Sequence, residues 1–179
     1  RETLECIVTL AKASGDLTTL AIGYSLLGNF YRDRDSLEKS IENYLNQISL
    51  GESADMGEQT SRGLNSLRTV LSRDSDAFCN SYEALVPKLD INDQKVALSS
   101  LQNLSSSLYF QERYQEELQL LQLLVHFFLV LETELDGNQL ISNLISLGYK
   151  FIRDEPERAL ACFSAVTKLH QYLDGEAKL

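Results

Sequence analysis

Two histidines and three cysteines are the side chains best able to ligate a metal or attack a carbonyl, so their spacing is the first test. His126 lies inside the apolar run Leu118 to Leu131, where a core or interface histidine is expected rather than a ligand. His170 falls near the end of the last expected helix, where a cation complements the helix dipole. Neither has a cysteine or carboxylate neighbour at metal-ligand spacing. Cys6, Cys79 and Cys162 are far apart and odd in number, which makes neither a metal pair nor a disulfide framework. They read as buried, reduced thiols of a cytoplasmic or nuclear protein. Carboxylates are abundant, but Glu116-Glu117 and the stretch Asp154 to Glu157 fall in helix starts and turns, where solvated surface is expected. No Gly-rich phosphate loop, Gly-x-Ser-x-Gly or Walker pattern occurs. The residues therefore predict no catalytic group, no cofactor and no metal: the chain reads as a non-enzyme.

Charge narrows the partners. The 179 residues carry a formal net charge of −10. Phosphate contacts need a basic patch, so nucleic acid is not the expected partner, and an anionic membrane surface is disfavoured for the same reason. The apolar run "LQLLQLLVHFFLVL" is shorter than the ~20 residues a membrane helix needs. A helix buried between neighbours on two sides explains it better. A protein or peptide partner remains. The chain starts at Arg1 rather than Met, and is expected to be one segment of a longer protein with adjoining repeats.

The elements that must position any such surface are helices. Only two prolines occur, Pro87 and Pro156, and apolar residues recur at helical spacing. Leu37, Ile41, Tyr44, Leu45 and Ile48 form one stripe; Leu98, Leu101, Leu104 and Leu108 form another. Asp16 is a start signal, and Asp35 with Glu38 resembles a capping box. The spacing predicts helices at 2–13, 17–32, 36–49, 58–73, 75–86, 93–110, 113–133, 138–152 and 156–173. The stretch "GESADMG", Gly51 to Gly57, is the expected flexible loop.

Aligned on Leu27-Gly28, the text repeats. Leu27-Gly28 is followed by Tyr31, Ser40, Tyr44 and Gln47. Leu104-Ser105 is followed at the same offsets by Leu108, Glu117, Leu121 and Leu124. Leu147-Gly148 is followed by Phe151, then by Ala159 and Phe163 one residue early. A weaker copy centres on Leu67-Arg68 with Leu71. Each copy is one helical hairpin that cannot bury its own apolar face, so stacking is required. The predicted fold is all-α: stacked antiparallel hairpins. The organisation is a half repeat at 1–13 and repeats at about 17–50, 58–90, 93–133 and 138–173 within one domain, 1–179. The first segment should bury Leu4, Ile7, Val8 and Leu10 against the next helix.

Tyr24, Leu27, Gly28, Tyr31, Ser40 and Tyr44 together resemble the tetratricopeptide repeat. The resemblance implies a TPR-like right-handed α-solenoid, with Gly28 small so that two helices approach closely. The period exceeds the family's usual length, and Glu117 stands where a small residue is expected. The resemblance also implies a concave groove lined by first helices: Ser25, Asn29, Asn65, Thr69, Gln102, Ser106, Ile145 and Tyr149. Helix ends add Arg32, Arg62, Arg73, Tyr109 and Arg153. The partner-binding residues expected on this basis are Asn29, Arg32, Arg62, Asn65, Arg73, Gln102, Tyr109 and Arg153. They imply an interaction scaffold for an acidic or extended partner segment. Ser25 stands where the family's carboxylate clamp has lysine, so that clamp is incomplete. Separately, "SLQNLSSSLYFQERYQEELQLLQLL" with "LISLGY" resembles the helical-repeat region of separase. That resemblance implies a regulatory, securin-binding region in chromosome segregation, with the cysteine-protease domain outside this chain.

Overall fold

The computed structural model describes residues 1–131 and 135–176. The described chain is all-α, with no strand. Helices run as α1 (Glu2–Ser14), α2 (Leu17–Arg32), α3 (Leu37–Ser53), α4 (Gly57–Arg73), α5 (Ser75–Leu85), α6 (Ile91–Phe110), α7 (Tyr114–Val130), α8 (Gly137–Phe151) and α9 (Pro156–Glu176). A short 3-10 turn at Val86–Lys88 lies between α5 and α6. The expected end of the seventh helix, at 132–133, lies outside the described residues. No helix among the described residues is long and apolar enough to cross a membrane.

Start signals act through backbone donors that the first turn leaves unpaired. Asp16 accepts from the Thr19 N–H at 3.0 Å, and Asp74 from the Ala77 N–H at 2.9 Å. Asp136 accepts from the N–H groups of Asn138 and Gln139. The expected capping box at Asp35 does not form. Asp35 takes φ 53°, and Ser36 is the residue before α3. Glu38 reaches instead to Lys88, 2.7 Å away.

Four turns share one geometry. Gly15, Asp35, Asp55 and Glu112 all have positive φ. In each, the next N–H returns to a carbonyl of the helix just ended: Asp16 to Ala11, Ser36 to Tyr31, Met56 to Gly51, Arg113 to Leu108. This is the Schellman closure, and it leaves no room for a long loop. It also corrects the expected flexible stretch. α3 runs on through Gly51 to Ser53, Gly51 is buried, and Thr60 packs on it. Glycine at both ends of "GESADMG" marks close packing at Gly51 and the first residue of α4 at Gly57.

The chain divides into two compact units, Arg1–Ala97 and Leu98–Leu179. In the first, Val8, Ala11, Leu20 and Leu27 form a core with Leu4, Tyr24, Tyr31 and Leu50 against it. Leu10, expected in that face, is 63% exposed, and Ala11 takes its place. α3 packs on α2, α4 and α5, and buries Ile41, Tyr44, Leu45 and Ile48. Gly28 is the close crossing: a Cβ there would meet the Tyr44 ring, 2.6 Å from Cδ1. Ser40 Oγ donates to the Gly28 carbonyl at 2.9 Å, and Tyr44 OH donates to Asn29 Oδ1 at 2.8 Å.

In the second unit α7 packs on α8 and α9, and α8 on α9. Leu120, Leu121, Leu124 and Phe127 of α7 are all but fully buried, as the long apolar run predicts. A Cβ on Gly148 would lie 2.8 Å from Phe163, so the Leu147-Gly148 copy repeats the Gly28 crossing one residue early. His126 is exposed rather than in the core. His170 is not at a helix end, since α9 continues to Glu176. Of the cysteines only Cys162 is buried; Cys6 is exposed and Cys79 half-buried, and all three are free thiols.

Candidate functional site

The predicted groove residues occupy the helices expected of them, but several are already engaged. Asn29 Oδ1 holds the Tyr44 hydroxyl. Arg32 pairs with Asp33 at 3.0 Å, Arg62 with Glu58 at 2.6 Å and Arg73 with Asp35 at 3.7 Å. Asn65 Oδ1 accepts from Arg68 at 2.7 Å. The three predicted groove arginines of the first unit thus each have a carboxylate beside them. Exposed pairs of this kind are worth only ~0–1 kcal/mol, so they are exchangeable. Gln102 is half-buried on α6, and Arg153 is exposed in the turn after α8.

Tyr109 leads to a more defined site within the second unit. A cleft of about 220 Å³ opens there. α6 contributes Ser105, Ser106, Tyr109 and Phe110 to its lining. α8 contributes Asn143 and Ser146, and α7 contributes Glu117. Phe110 is 84% exposed, and its ring meets Tyr109 edge-on, with centroids 6.0 Å apart. The Lys150 ammonium lies 5.7 Å from the centroids of both Tyr109 and Tyr114.

Glu117 is the residue the sequence reading missed. Its pair with Glu116 reads as solvated, yet Glu117 is 3% exposed. Its Oε2 is buried and accepts no hydrogen bond from any described residue. Burial pushes the carboxyl up to about 7. Cys162 is pushed up to about 11, first by burial and then by the charge of Glu117. The signal lay in the repeat register. Glu117 occupies the place of Ser40, Ser105 that of Gly28, and Leu121 that of Tyr44. In the first copy a small hydroxyl bonds back to the facing carbonyl and a tyrosine ring fills the crossing. In the later copy a carboxylate replaces the hydroxyl and a smaller leucine replaces the ring. The helix dipole favours the exchange, because Glu117 sits in the first turn of α7.

Comparison with known proteins adds little to this geometry. No family model matches the chain, and no curated protein matches it. One solved structure is similar: the crystal structure of BtubC (BKLC) from P. vanneervenii. It is 16% identical, with 97% of this chain and 81% of that chain covered, at a TM-score of 0.37. A likeness at that score carries no argument about this chain.

The cleft's lining offers two hydroxyls from α6, one from α8, an amide and a buried carboxyl, with aromatic rings on one side. Among the described residues no group of three or more His, Cys, Asp and Glu side chains is placed to hold a metal ion.

Proposed function

We propose that this chain is a non-catalytic interaction scaffold, a set of TPR-like helical hairpins that binds an extended segment of a partner protein along its first helices. One observation carries the reading. Two first helices, α6 and α8, bury their leucines and leave hydroxyls, an amide and exposed aromatics around an open cleft. The polar groups suit a peptide backbone, and the rings suit side-chain contact. The recurrence of the Gly28–Tyr44 crossing at Gly148–Phe163 supports the hairpins as repeats of one unit. An acidic segment would meet Arg32, Arg62 and Arg73 only by displacing Asp33, Glu58 and Asp35.

The test is selection from a random peptide library displayed on phage, using the full chain as bait. A scaffold should enrich one consensus, and the synthetic consensus peptide should bind saturably in a calorimetric titration. Selection that never converges, with synthetic peptides that do not titrate, would remove the scaffold reading.

A further inference from the structure

The cleft of the second unit presents an unusual demand. A carboxylate almost wholly shielded from water needs a partner, because an isolated buried charge is far costlier than a paired one. Oε2 of Glu117 has none among the described residues. Gln47 and Ser100 also carry buried oxygens without a partner, but neither lines the cleft. The volume limits what can enter. At about 220 Å³ the cleft is smaller than the ~300–1,000 Å³ typical of small-molecule sites. It holds a single side chain comfortably, since one water occupies ~30 Å³.

Charge and shape then select among side chains. A partner carboxylate would face Glu117 and repel it. An apolar side chain would leave Oε2 unpaired. An arginine fork is best met by two free carboxylate oxygens, whereas an ammonium is satisfied by one oxygen and neighbouring hydroxyls. Ser105 and Ser106 supply hydroxyls to the cleft that Glu117 lines. Tyr109 offers a ring for the hydrocarbon stem. We propose that this cleft captures a lysine side chain from the extended partner segment, with Glu117 as its counter-ion and Tyr109 against its stem. The inference deepens the scaffold reading and rests on it, by naming the residue the partner must carry.

The experiment uses the full chain, labelled with nitrogen-15, and three pentapeptides of sequence Ac-Gly-Ala-X-Ala-Gly-NH2. X is lysine, norleucine or glutamate. Backbone amide shifts are followed to saturation for wild type and for Glu117→Gln. The lysine peptide should shift the amides of Ser105, Ser106 and Asn143 and bind at least tenfold more tightly than the norleucine peptide. In Glu117→Gln that ratio should collapse toward one. A second variant, Ser146→Tyr, changes an exposed residue at the cleft and leaves Glu117 in place; it should abolish the shifts even if Glu117→Gln folds poorly. Equal binding of the lysine and norleucine peptides, or a ratio that survives in Glu117→Gln, would overturn the inference. Lysine-peptide shifts confined to α2 and α4 would overturn it too, while leaving the scaffold reading standing. If no peptide binds here and the phage selection also fails, both readings fall together.

Discussion

Glu117 shows how one residue in a repeat register can change the environment within a helical hairpin. The folded chain holds its proton more tightly than the unfolded chain, because burial lifts the carboxyl from 4.5 to about 7. The sign follows. Stability falls as pH rises from about 4 to about 7, then levels off, by an amount on the order of 3 kcal/mol. Glu117→Gln removes that loss. Its thermal midpoint should match wild type near pH 4.5 and exceed it at pH 8, with the gap opening between. A gap that stays constant with pH would place Glu117 in water. Gly28 makes the opposite point, since its role is legible from the Leu-Gly text and the structure puts Tyr44 against it. Gly28→Leu should cost ~1–3 kcal/mol or more in urea denaturation, because a rigid ring occupies the space. Glu117 was not legible in the same way. It shares its cleft with Ser105 of the preceding helix and with Asn143 and Ser146 of α8, far away in sequence, and a carboxylate pair in a first helical turn looks the same whether wet or dry.

Elements were far more legible than contacts. Helix positions follow from apolar spacing and from Asp16, Asp74 and Asp136, which cap by local hydrogen bonds and need no distant partner. The misreadings all involve surroundings. Asp35 looks like a cap in text, but the Schellman turn places it in the left-handed region and passes the boundary to Ser36. Gly51 looks like a loop glycine, but Thr60 needs its missing side chain for close packing. Leu10 and His126 sit in apolar runs and face outward, while Val8 and Ala11, and Val125 and Phe127, carry the covered faces of their helices. The turns make a testable point of their own. Aspartate tolerates positive φ better than most side chains, and glutamate does so poorly. Glu112→Gly should therefore stabilise by up to ~1 kcal/mol, and Asp35→Gly and Asp55→Gly by less. Chemical denaturation ranks the three; a destabilised Glu112→Gly would mean that the turn after α6 is not closed as described.

At the scale of the whole molecule, a net charge of −10 and a cleft with a buried carboxylate point the same way. An acidic chain attracts a basic segment before any contact forms, and salt screens that attraction. The association rate of a lysine-bearing peptide should fall steeply as the Debye length shrinks from ~10 Å at 0.1 M to ~3 Å at 1 M, while its dissociation rate changes less. Stopped-flow measurement across that range reads both rates, and a salt-independent association rate would count against electrostatic recruitment. The central claim is narrower: Glu117 of the second unit has a buried carboxyl oxygen without a partner among the described residues, and the proposed partner is a cation from another protein. The most direct test is a carbon-13 titration of the Glu117 side-chain carboxyl, run on the full chain with and without saturating lysine peptide. The account predicts a midpoint of about 7 for the free chain and a clear fall when the peptide is bound, because an ammonium favours the ionised form. A free-chain midpoint near the ordinary ~4.3 of glutamate, or a midpoint that saturating peptide leaves unmoved, would contradict it.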